Sequence, residues 1–200
     1  MPPKADKQLQ ERILKAAQRL WKTRGEHGLT LRAVAREAGV DPEAAAAALA
    51  ALTAGEKRGE VLEIAGATIL NDSYNSNPEA LRSMIRTLAA RPARRRILIA
   101  GEMLELGDHA LALHAACGTA AAEAGLDLVV GVRGNAVHLA TAACAGGVAS
   151  LFLPDAGAAG RWLSQNLRAG DVVLIKGSRG VRLERAIEIL RNPIASPEVQ

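Results

Sequence analysis

The sequence predicts an α/β protein, with a Rossmann-like, mostly parallel sheet covered by helices on both faces and a small all-helical N-terminal segment. Short apolar runs recur through residues 61–192, and longer helical patterns separate them. Strands that are apolar throughout and alternate with helices are typical of a parallel sheet buried on both faces. Residues 1–40 contain only helical patterns, which predict the separate segment.

We therefore divide the chain into four parts. Residues 1–40 are predicted to form a helix-turn-helix-like segment, and residues 41–60 a further helix and a polar connector. Residues 61–192 are predicted to form the α/β domain, and residues 193–200 a tail.

The N-terminal segment begins with an amphipathic helix over residues 11–23, whose apolar stripe is Ile13, Leu14, Ala17, Leu20 and Trp21. Thr30 is expected to cap a second helix, which Gly39 ends. Asp41 and Pro42 are expected to start a third helix, because Asp is a favoured N-cap and Pro a favoured first residue.

Basic side chains line the opposite face of the first helix, namely Arg12, Lys15, Arg19 and Lys22. The whole chain has a formal net charge of only +4, so this concentration favours an anionic partner for the N-terminal part. A solvated helix face explains the same pattern, and the sequence leaves both interpretations open.

In the α/β domain, VLEI and ATIL flank Ala65 and Gly66 and predict a short hairpin. Pro78 then opens a helix that runs through PEALRSMIRTLAA. Further strands are predicted by the runs RILIAG, LDLVVGV, ASLFL and DVVLIK. Further helices are predicted at residues 108–124, 134–145, 156–168 and 180–191.

Composition excludes several classes of protein. The basic start is not followed by the apolar region of a secretory signal, and no apolar run approaches the roughly 20 residues of a membrane span. We therefore expect a cytoplasmic protein with no membrane partner. Neither Cys117 nor Cys144 has a Cys or His at metal-ligand spacing, so we expect two buried thiols and no metal site.

The stretch NDSYNSNP, residues 71–78, places many short polar side chains where a strand meets a helix. Ligands of open parallel sheets bind beyond the carboxyl ends of the strands. Asp72 could accept hydrogen bonds from ribose hydroxyls, Asn75 and Asn77 could donate and accept, and Tyr74 could pack against a ring. The alternative is that these residues only cap the turn and the following helix.

A second polar stretch, KGSRG at residues 176–180, follows the last predicted strand. Lys176 and Arg179 supply positive charge, and the glycines allow backbone N–H groups to approach a ligand. We expect this stretch to open the last helix, whose dipole would also favour phosphate or carboxylate. The alternative is an ordinary turn with surface cations. Glu102 follows the strand RILIAG in the same way.

Three stretches of the sequence, in their order, resemble the C-terminal domain of the Mur ligases. They are NDSYNSNPEAL, GEMLELGDHALALH and IKGSRGVRLE. The resemblance is nearest to the members that add D-alanyl-D-alanine to the UDP-linked tripeptide of peptidoglycan. It implies ATP-dependent amide bond formation through an acyl phosphate, with Mg²⁺ as a further cofactor. It also implies that a nucleotide or D-alanyl-D-alanine binds at these motifs.

The resemblance also implies roles for particular residues. Those at the family's nucleotide contacts are Arg58, Asp72, Asn75 and Asn77, and those near the phosphates or the dipeptide carboxylate are Lys176, Ser178 and Arg179. Glu102 and His114 match motif positions on the substrate side. For His114, the alternative is a helix residue that is hydrogen-bonded to a neighbour.

The Mur ligase P-loop spacing, GxxxxGK[ST], does not occur in the 200 residues. Phosphoryl transfer depends on the positioning and charge neutralisation that such a loop and its metal supply. We therefore expect no independent ligase activity and assign no catalytic residue. Such a domain would bind a nucleotide or a dipeptide weakly, or serve a partner that supplies a central ATPase domain. A truncated chain with no function of its own is a further alternative.

ERILKAAQRLW and LTLRAVAREAGV resemble the DNA-binding domain of tetracycline-repressor-type regulators. Their third helix would here be PEAAAAALAAL, which has no Arg, Lys, Asn or Gln for bidentate contacts to bases. We expect at most weak, salt-sensitive, non-specific binding of nucleic acid. A DNA-binding regulator with a ligand-sensing α/β domain, or a remnant of a ligase helix, remain as alternatives.

Overall fold

The computed structural model describes residues 7–24, 29–50 and 59–192. The chain divides into two compact units, Met1–Ala54 and Gly55–Gln200. Each unit has its own hydrophobic core. The division of the chain into four parts stays a prediction.

The described part of the first unit contains three helices, α1 (Lys7–Arg24), α2 (Leu31–Ala38) and α3 (Pro42–Ala50). Their core is small and rich in alanine: Ile13, Ala16, Leu20, Val34, Ala35, Ala38 and Ala45. The predicted N-cap is confirmed, because the Thr30 hydroxyl accepts a hydrogen bond from Ala33 N at 3.2 Å. Gly39 ends α2 with a φ of 64°, a left-handed conformation that glycine adopts without strain.

Leu14 and Trp21 correct the predicted apolar stripe of α1. Both side chains are exposed, by 45% and 53%, while Ile13 and Leu20 are buried in the core. Successive residues of a helix are about 100° apart around its axis. Leu14 and Trp21 each follow a buried residue directly, so their side chains are rotated by about that angle away from the core. The buried stripe of α1 is therefore narrower than the sequence pattern predicts.

The described part of the second unit is built on one six-stranded sheet in the order β1-β2-β6-β3-β4-β5. Its strands are β1 (Glu60–Ile64), β2 (Ala67–Asp72), β3 (Arg95–Gly101), β4 (Leu128–Val132), β5 (Ala149–Leu153) and β6 (Asp171–Lys176). β1 pairs with β2 in an antiparallel hairpin, and the other pairings are parallel. The predicted strands and the mostly parallel sheet are confirmed.

Helices cover both faces of the sheet, as the sequence predicts. They are α4 (Pro78–Ala89), α5 (Ala110–Glu123), α6 (Ala136–Ala145), α7 (Ala156–Asn166) and α8 (Glu184–Arg191). α4, α5 and α6 pack on one face, and α7 and α8 pack on the other. Within β6, Leu174 joins the first of these cores, whereas Val173 and Ile175 join the second. This alternation explains why residues 172–175, between the charged ends of the strand, are all apolar.

The position of β6 creates the crevice in which a ligand can bind. β2 and β3 are consecutive strands joined through α4, but they are not neighbours in the sheet. β6, the last strand in sequence, lies between them. Connections on opposite faces of the sheet diverge at such a point, and the carboxyl ends of the strands there form an open crevice.

Two local expectations are wrong. KGSRG does not open the last helix, because a single 3₁₀ turn, Arg179–Val181, follows it and α8 begins only at Glu184. Cys144 is exposed on α6, while Cys117 is buried as expected, and burial raises the pKa of the Cys117 thiol to about 11. Among the described residues, no helix is long and apolar enough to cross a membrane.

Candidate functional site

The centre of the crevice is an ion pair between the last residues of two neighbouring strands. Asp72 ends β2 and Lys176 ends β6, and the two are register partners in the sheet. Lys176 Nζ lies 2.5 Å from Asp72 Oδ2 and also donates a hydrogen bond to the carbonyl oxygen of Asn75 at 2.9 Å. The Lys176 side chain is only 5% exposed. The lysine therefore ties the NDSYNSNP loop to the end of β6.

Much of the polarity of NDSYNSNP supports the loop itself. Asn71 donates to Glu60 Oε2 at 2.7 Å and accepts from the Ser73 hydroxyl at 2.7 Å. Asn77 caps α4, because its side-chain oxygen accepts from Ala80 N at 2.8 Å. The capping interpretation thus accounts for part of the set.

Other polar groups of the same loop remain available to a ligand. Asn75 and Asn77 are exposed, and within the described part of the chain their side chains form hydrogen bonds only through Oδ1, which accepts from Ser76 N and Ala80 N, respectively. Each amide therefore keeps an Nδ2 group that can donate at the rim. These donors, unlike Asn71, are not engaged by the strands below.

Two clefts flank the loop, with volumes of about 490 and 440 Å³. Both are lined by Tyr74, Asn75, Ser76 and Asn77. The first is completed by Gly59, Asp72, Ala80 and Met84. The second is completed by Leu104, Glu105, Leu106, Ser178, Arg179 and Gly180. One loop therefore forms a wall common to two ligand-sized spaces.

The second cleft has an exposed cation at its edge. The guanidinium of Arg179 lies over the Tyr74 ring, 5.5 Å from its centroid, in a cation–π contact. Arg179 is exposed, unlike Lys176. Of the two cations predicted in KGSRG, Arg179 is thus the one placed to meet an anionic group of a ligand.

The loops after β3 and β6 are joined to each other. Ser178 N donates to the carbonyl oxygen of Glu102 at 3.2 Å, and the Ser178 hydroxyl accepts from Leu104 N at 3.0 Å. Two glycines permit this approach, because a Cβ on Gly177 would lie 3.0 Å from the Cα of Gly101. The hydroxyl of Ser178 therefore fixes the loop that forms the far wall of the second cleft.

Glu102 is engaged at the start of α6. Its Oε1 accepts from the backbone N of Asn135 at 2.9 Å and from Asn135 Nδ2 at 3.1 Å. Its Oε2 lies 3.9 Å from Arg133 Nε. Gly134 makes room for the carboxylate, since a Cβ there would lie 2.2 Å from it. Glu102 is thus held mainly by its own domain, and contact with a substrate stays a prediction.

His114 is fully buried in α5, and both of its ring nitrogens are engaged. Nε2 accepts from Met103 N at 2.8 Å, while Nδ1 lies 2.6 Å from the carbonyl oxygen of Ala110, which assigns the proton to Nδ1. Burial lowers the pKa of His114. In this structure His114 holds the backbone next to Glu102, and a direct contact with substrate stays a prediction.

The structure brings the predicted residues of three loops to one edge of the sheet. These residues are Asp72, Tyr74, Asn75, Asn77, Glu102, Lys176, Ser178 and Arg179. Arg58 lies outside the described residues. Sequence reasoning missed Ser76, whose buried hydroxyl has no hydrogen-bond partner in the described part of the chain. Arg133, which follows the strand LDLVVGV at the same edge, donates to the carbonyl oxygen of Gly180 at 2.8 Å.

Metal-binding groups are not clustered in the described parts of the chain. No set of three or more His, Cys, Asp or Glu side chains there could hold a metal ion.

Comparison with known proteins gives two family matches. Residues 57–179 match the family model "Mur ligase, glutamate ligase domain". Residues 13–48 match that of "Bacterial regulatory proteins, tetR family". The first match includes the lining of both clefts except Gly180, whereas the second is limited to the helical unit.

Individual proteins agree with the first match. The UDP-N-acetylmuramoyl-tripeptide–D-alanyl-D-alanine ligase of Mycobacterium leprae is 33% identical over 83% of this chain and 37% of its own length. The Bacillus subtilis ligase of the same name is 31% identical over 80% of this chain and 35% of its own. The MurF ligase of Thermotoga maritima, solved with ADP, superposes with a TM-score of 0.65 at 29% identity, covering 82% of this chain and 36% of its own. The chain thus spans little more than a third of these relatives.

Proposed function

Because the chain belongs to the Mur ligase family through its glutamate ligase domain, we propose that it acts as the C-terminal domain of a D-alanyl-D-alanine-adding ligase. In that reaction ATP activates the terminal carboxylate of a UDP-linked tripeptide as an acyl phosphate, which the amine of the dipeptide attacks. We assign this domain the task of holding the nucleotide and the incoming dipeptide. No catalytic residue is assigned to it.

One observation carries the proposal: the loop Tyr74–Asn77 separates two clefts of nucleotide and dipeptide size. The loop is fixed from below, because Lys176 binds both the Asp72 carboxylate and the Asn75 carbonyl oxygen. A fixed loop can present exposed amide groups without losing conformational entropy on binding. The loop is therefore suited to contact two ligands at once.

We place the nucleotide in the first cleft. Ala80 and Met84 supply an apolar floor and Tyr74 a ring, while Asn75 and Asn77 supply amide donors. Asp72 can accept from a ribose hydroxyl with the carboxylate oxygen that Lys176 does not use. Arg58 joins this set by family resemblance alone.

We place the dipeptide, or the phosphate that faces it, in the second cleft. Arg179 at its edge supplies a charged fork for a carboxylate or phosphate. Ser178, Glu102 and His114 shape the far wall through Leu104 and Met103. Lys176 acts from beneath by positioning the loop.

ATP is the cofactor that this proposal requires, and it would supply the phosphoryl group. The sequence contains no P-loop spacing, so we assign the phosphoryl-transfer site to a central ATPase domain outside these residues. No step is assigned to magnesium, since the described residues offer no ligand cluster for it.

Calorimetric titration of the chain with ADP and with D-alanyl-D-alanine tests the proposal. Tyr74→Ala should weaken ADP binding by about fivefold, because a stacking contact is worth about 1 kcal/mol. Arg179→Ala should weaken dipeptide binding, whereas Arg185→Ala, an exposed arginine on α8, should change neither affinity. Wild-type protein that binds neither ligand would contradict the assignment.

Ser76 gives a second test of the same clefts. Its buried hydroxyl has no partner in the described residues, and such a group costs about 1–3 kcal/mol unless something satisfies it. We propose that the bound ligand, or a water it carries, satisfies this hydroxyl. Ser76→Ala should then weaken ADP binding without lowering the free energy of unfolding. An unchanged affinity would remove Ser76 from the site.

The match to tetR-family regulators favours a second candidate, binding of DNA by the helical unit. α2 and α3 are joined by a short turn at Gly39, as in a helix-turn-helix. Over residues 42–49 of α3, however, the exposed side chains are those of Pro42, Glu43, Ala44 and Ala47, which donate no hydrogen bonds to bases.

The basic stripe of α1 is also partly engaged within the unit. Arg12 donates to the carbonyl oxygen of Ala38 at 2.8 Å, and Arg19 pairs with Glu37 at 3.0 Å. We therefore propose only weak, non-specific binding of nucleic acid. Gel shifts at low and moderate salt should show binding that disappears as salt rises. Salt-resistant binding with a sequence preference would favour the regulator instead.

A further inference from the structure

A second group of arginines lies at the opposite edge of the sheet, at the amino ends of β3 and β6. A cleft of about 180 Å³ there is lined by Arg94, Arg95, Arg168, Ala169 and Asp171. β3 is seven residues long, so at about 3.3 Å per residue this cleft lies about 20 Å from the polar rim. It is therefore separate from the two clefts described above.

The acid in this cleft is fully occupied. Asp171 is 1% exposed, and Arg95 binds both of its oxygens, at 2.9 and 2.6 Å. The backbone N of Arg168 also donates to Oδ2 at 2.8 Å. Arg95 further donates to the carbonyl oxygen of Asn166 at 2.8 Å, near the end of α7. The Arg95–Asp171 pair thus joins the amino ends of β3 and β6 and the end of α7 through its own hydrogen bonds.

Arg94 and Arg168 are left over from this arrangement. Both are exposed, and within the described parts of the chain neither guanidinium has an ion pair or hydrogen bond. Arg94 is nevertheless placed closely, because its stem lies against Gly170, where a Cβ would come within 2.7 Å of Arg94 Cδ. Gly170 has a φ of 85°, and its carbonyl oxygen accepts from Arg94 N at 2.8 Å. Arg94 is thus held in the same cleft that Arg168 lines.

We propose that this edge carries an anion site, in which Arg94 and Arg168 bind a phosphate-type dianion above the Arg95–Asp171 pair. Two guanidinium groups without a counter-charge match the charge of a dianion, whereas a single carboxylate would neutralise only one of them. Planar guanidinium groups bind phosphate through paired hydrogen bonds. The site does not depend on the function proposed for the rim.

The test uses the full chain and inorganic phosphate as the probe, followed by NMR. Phosphate should shift the amide signals of Ala169 and Gly170 in a saturable manner. The double variant Arg94→Gln/Arg168→Gln should weaken this binding by about tenfold, because it removes charge-assisted hydrogen bonds. It leaves the Arg95–Asp171 pair intact, and an unchanged unfolding midpoint would verify its fold.

A matched control is Arg185→Gln/Arg191→Gln, which removes the same charge from exposed positions on α8. This control and Arg179→Gln at the rim should both leave the shifts of Ala169 and Gly170 unchanged. Equal weakening by the two double variants would overturn the proposal, because it would indicate a general charge effect.

Vesicles separate a soluble source of the phosphate group from a lipid headgroup. Binding to phosphatidic acid vesicles, but not to phosphatidylcholine vesicles, that depends on Arg94 and Arg168 would assign the site to a headgroup. Binding of free phosphate alone would assign it to a soluble ligand. If neither ligand binds in a manner that depends on these two arginines, the site does not exist. Loss of ADP binding at the rim would bear only on the proposed function.

Discussion

Single residues at the ends of strands determine the shape of the polar rim. Lys176 and Asp72 are both largely shielded from water, at 5% and 18% side-chain exposure. Removing one partner of a shielded ion pair destabilises the folded protein, because the other partner is left as an uncompensated charge. The pair therefore serves mainly to hold the Asn75 loop, and its strength can be measured.

Asp72→Ala should lower the free energy of unfolding by about 3 kcal/mol, since it leaves the Lys176 ammonium without its partner. Adding Lys176→Met should restore part of that loss, because the double variant contains no buried charge. Urea titrations measure both changes, with Glu188→Ala, an exposed change on α8, as the control. A double variant no more stable than Asp72→Ala would show that the unpaired Lys176 charge is not the cause of the loss.

His114 predicts a dependence of stability on pH. Burial is the main cause of its lowered pKa, and the nearby His138 lowers it further, while the Ala110 carbonyl and Glu102 oppose the shift. The unfolded chain therefore takes up a proton on His114 at a higher pH than the folded protein does. The contribution of neutral His114 to the free energy of unfolding is therefore complete above its ordinary pKa of 6.5. It is lost as pH falls from there through the lower pKa of the folded protein.

The corresponding experiment compares the free energy of unfolding at several pH values between 8 and about 5. His114→Gln should flatten the decline on the acid side, because Gln has no proton to take up. His109→Gln, an exposed neighbour, should keep the wild-type decline. Identical pH curves for the wild-type protein and His114→Gln would contradict a role for His114 in acid sensitivity.

At the level of elements, the Ala-rich helices α5 and α6 pack closely because small residues lie between them. Gly118 is at this crossing, and a Cβ there would lie 2.1 Å from the carbonyl oxygen of Leu139. Backbone atoms cannot move aside as a flexible side chain can. The contact also fixes α6, whose first turn is met by Glu102.

Gly118→Ala should therefore destabilise the second unit by about 1–3 kcal/mol or more, although alanine favours helices. Thermal unfolding followed by circular dichroism measures the change. Thr119→Ala, at the exposed next position of α5, should change the unfolding midpoint little. Equal midpoints for wild type and Gly118→Ala would mean that α6 moves aside without cost.

At the level of the whole molecule, the two units have separate cores and different compositions. The core of the helical unit is largely alanine, whereas the α/β unit has one large core on each face of its sheet. Larger apolar cores give greater stability. The α/β unit should therefore be the more stable of the two.

Residues 55–200, expressed alone, should fold cooperatively and bind ADP with the affinity of the full chain. The reason is that both proposed ligand clefts lie entirely within that unit. Denaturant unfolding and calorimetry measure the two properties. Loss of ADP binding on removal of residues 1–54, with the fold retained, would show that the helical unit contributes to the site.

The polar rim was largely predictable from sequence, because parallel strands place their carboxyl ends together. Asp72, Glu102 and Lys176 were assigned to one edge on this ground, and the structure places them there. The hydrogen-bonded helix position of His114 was one of the two alternatives, and its contact with Ala110 O agrees with it. The burial of Lys176 was not predictable, because its partners Asp72 and Asn75 are distant along the chain. Ser76 was missed for the same reason, since an unpaired hydroxyl has no signature in the chain.

Local patterns determined the class of fold and the places where strands and helices alternate, because apolar periodicity and capping depend on neighbouring residues. Only the tertiary structure decided which charges remain free. Lys176 is buried against Asp72, whereas Arg179, Arg94 and Arg168 are exposed. The tertiary structure also decided that α8 begins at Glu184 and not within KGSRG. The physical reason is that solvation and pairing of a charge depend on residues about 100 positions away, as Lys176 and Asp72 are.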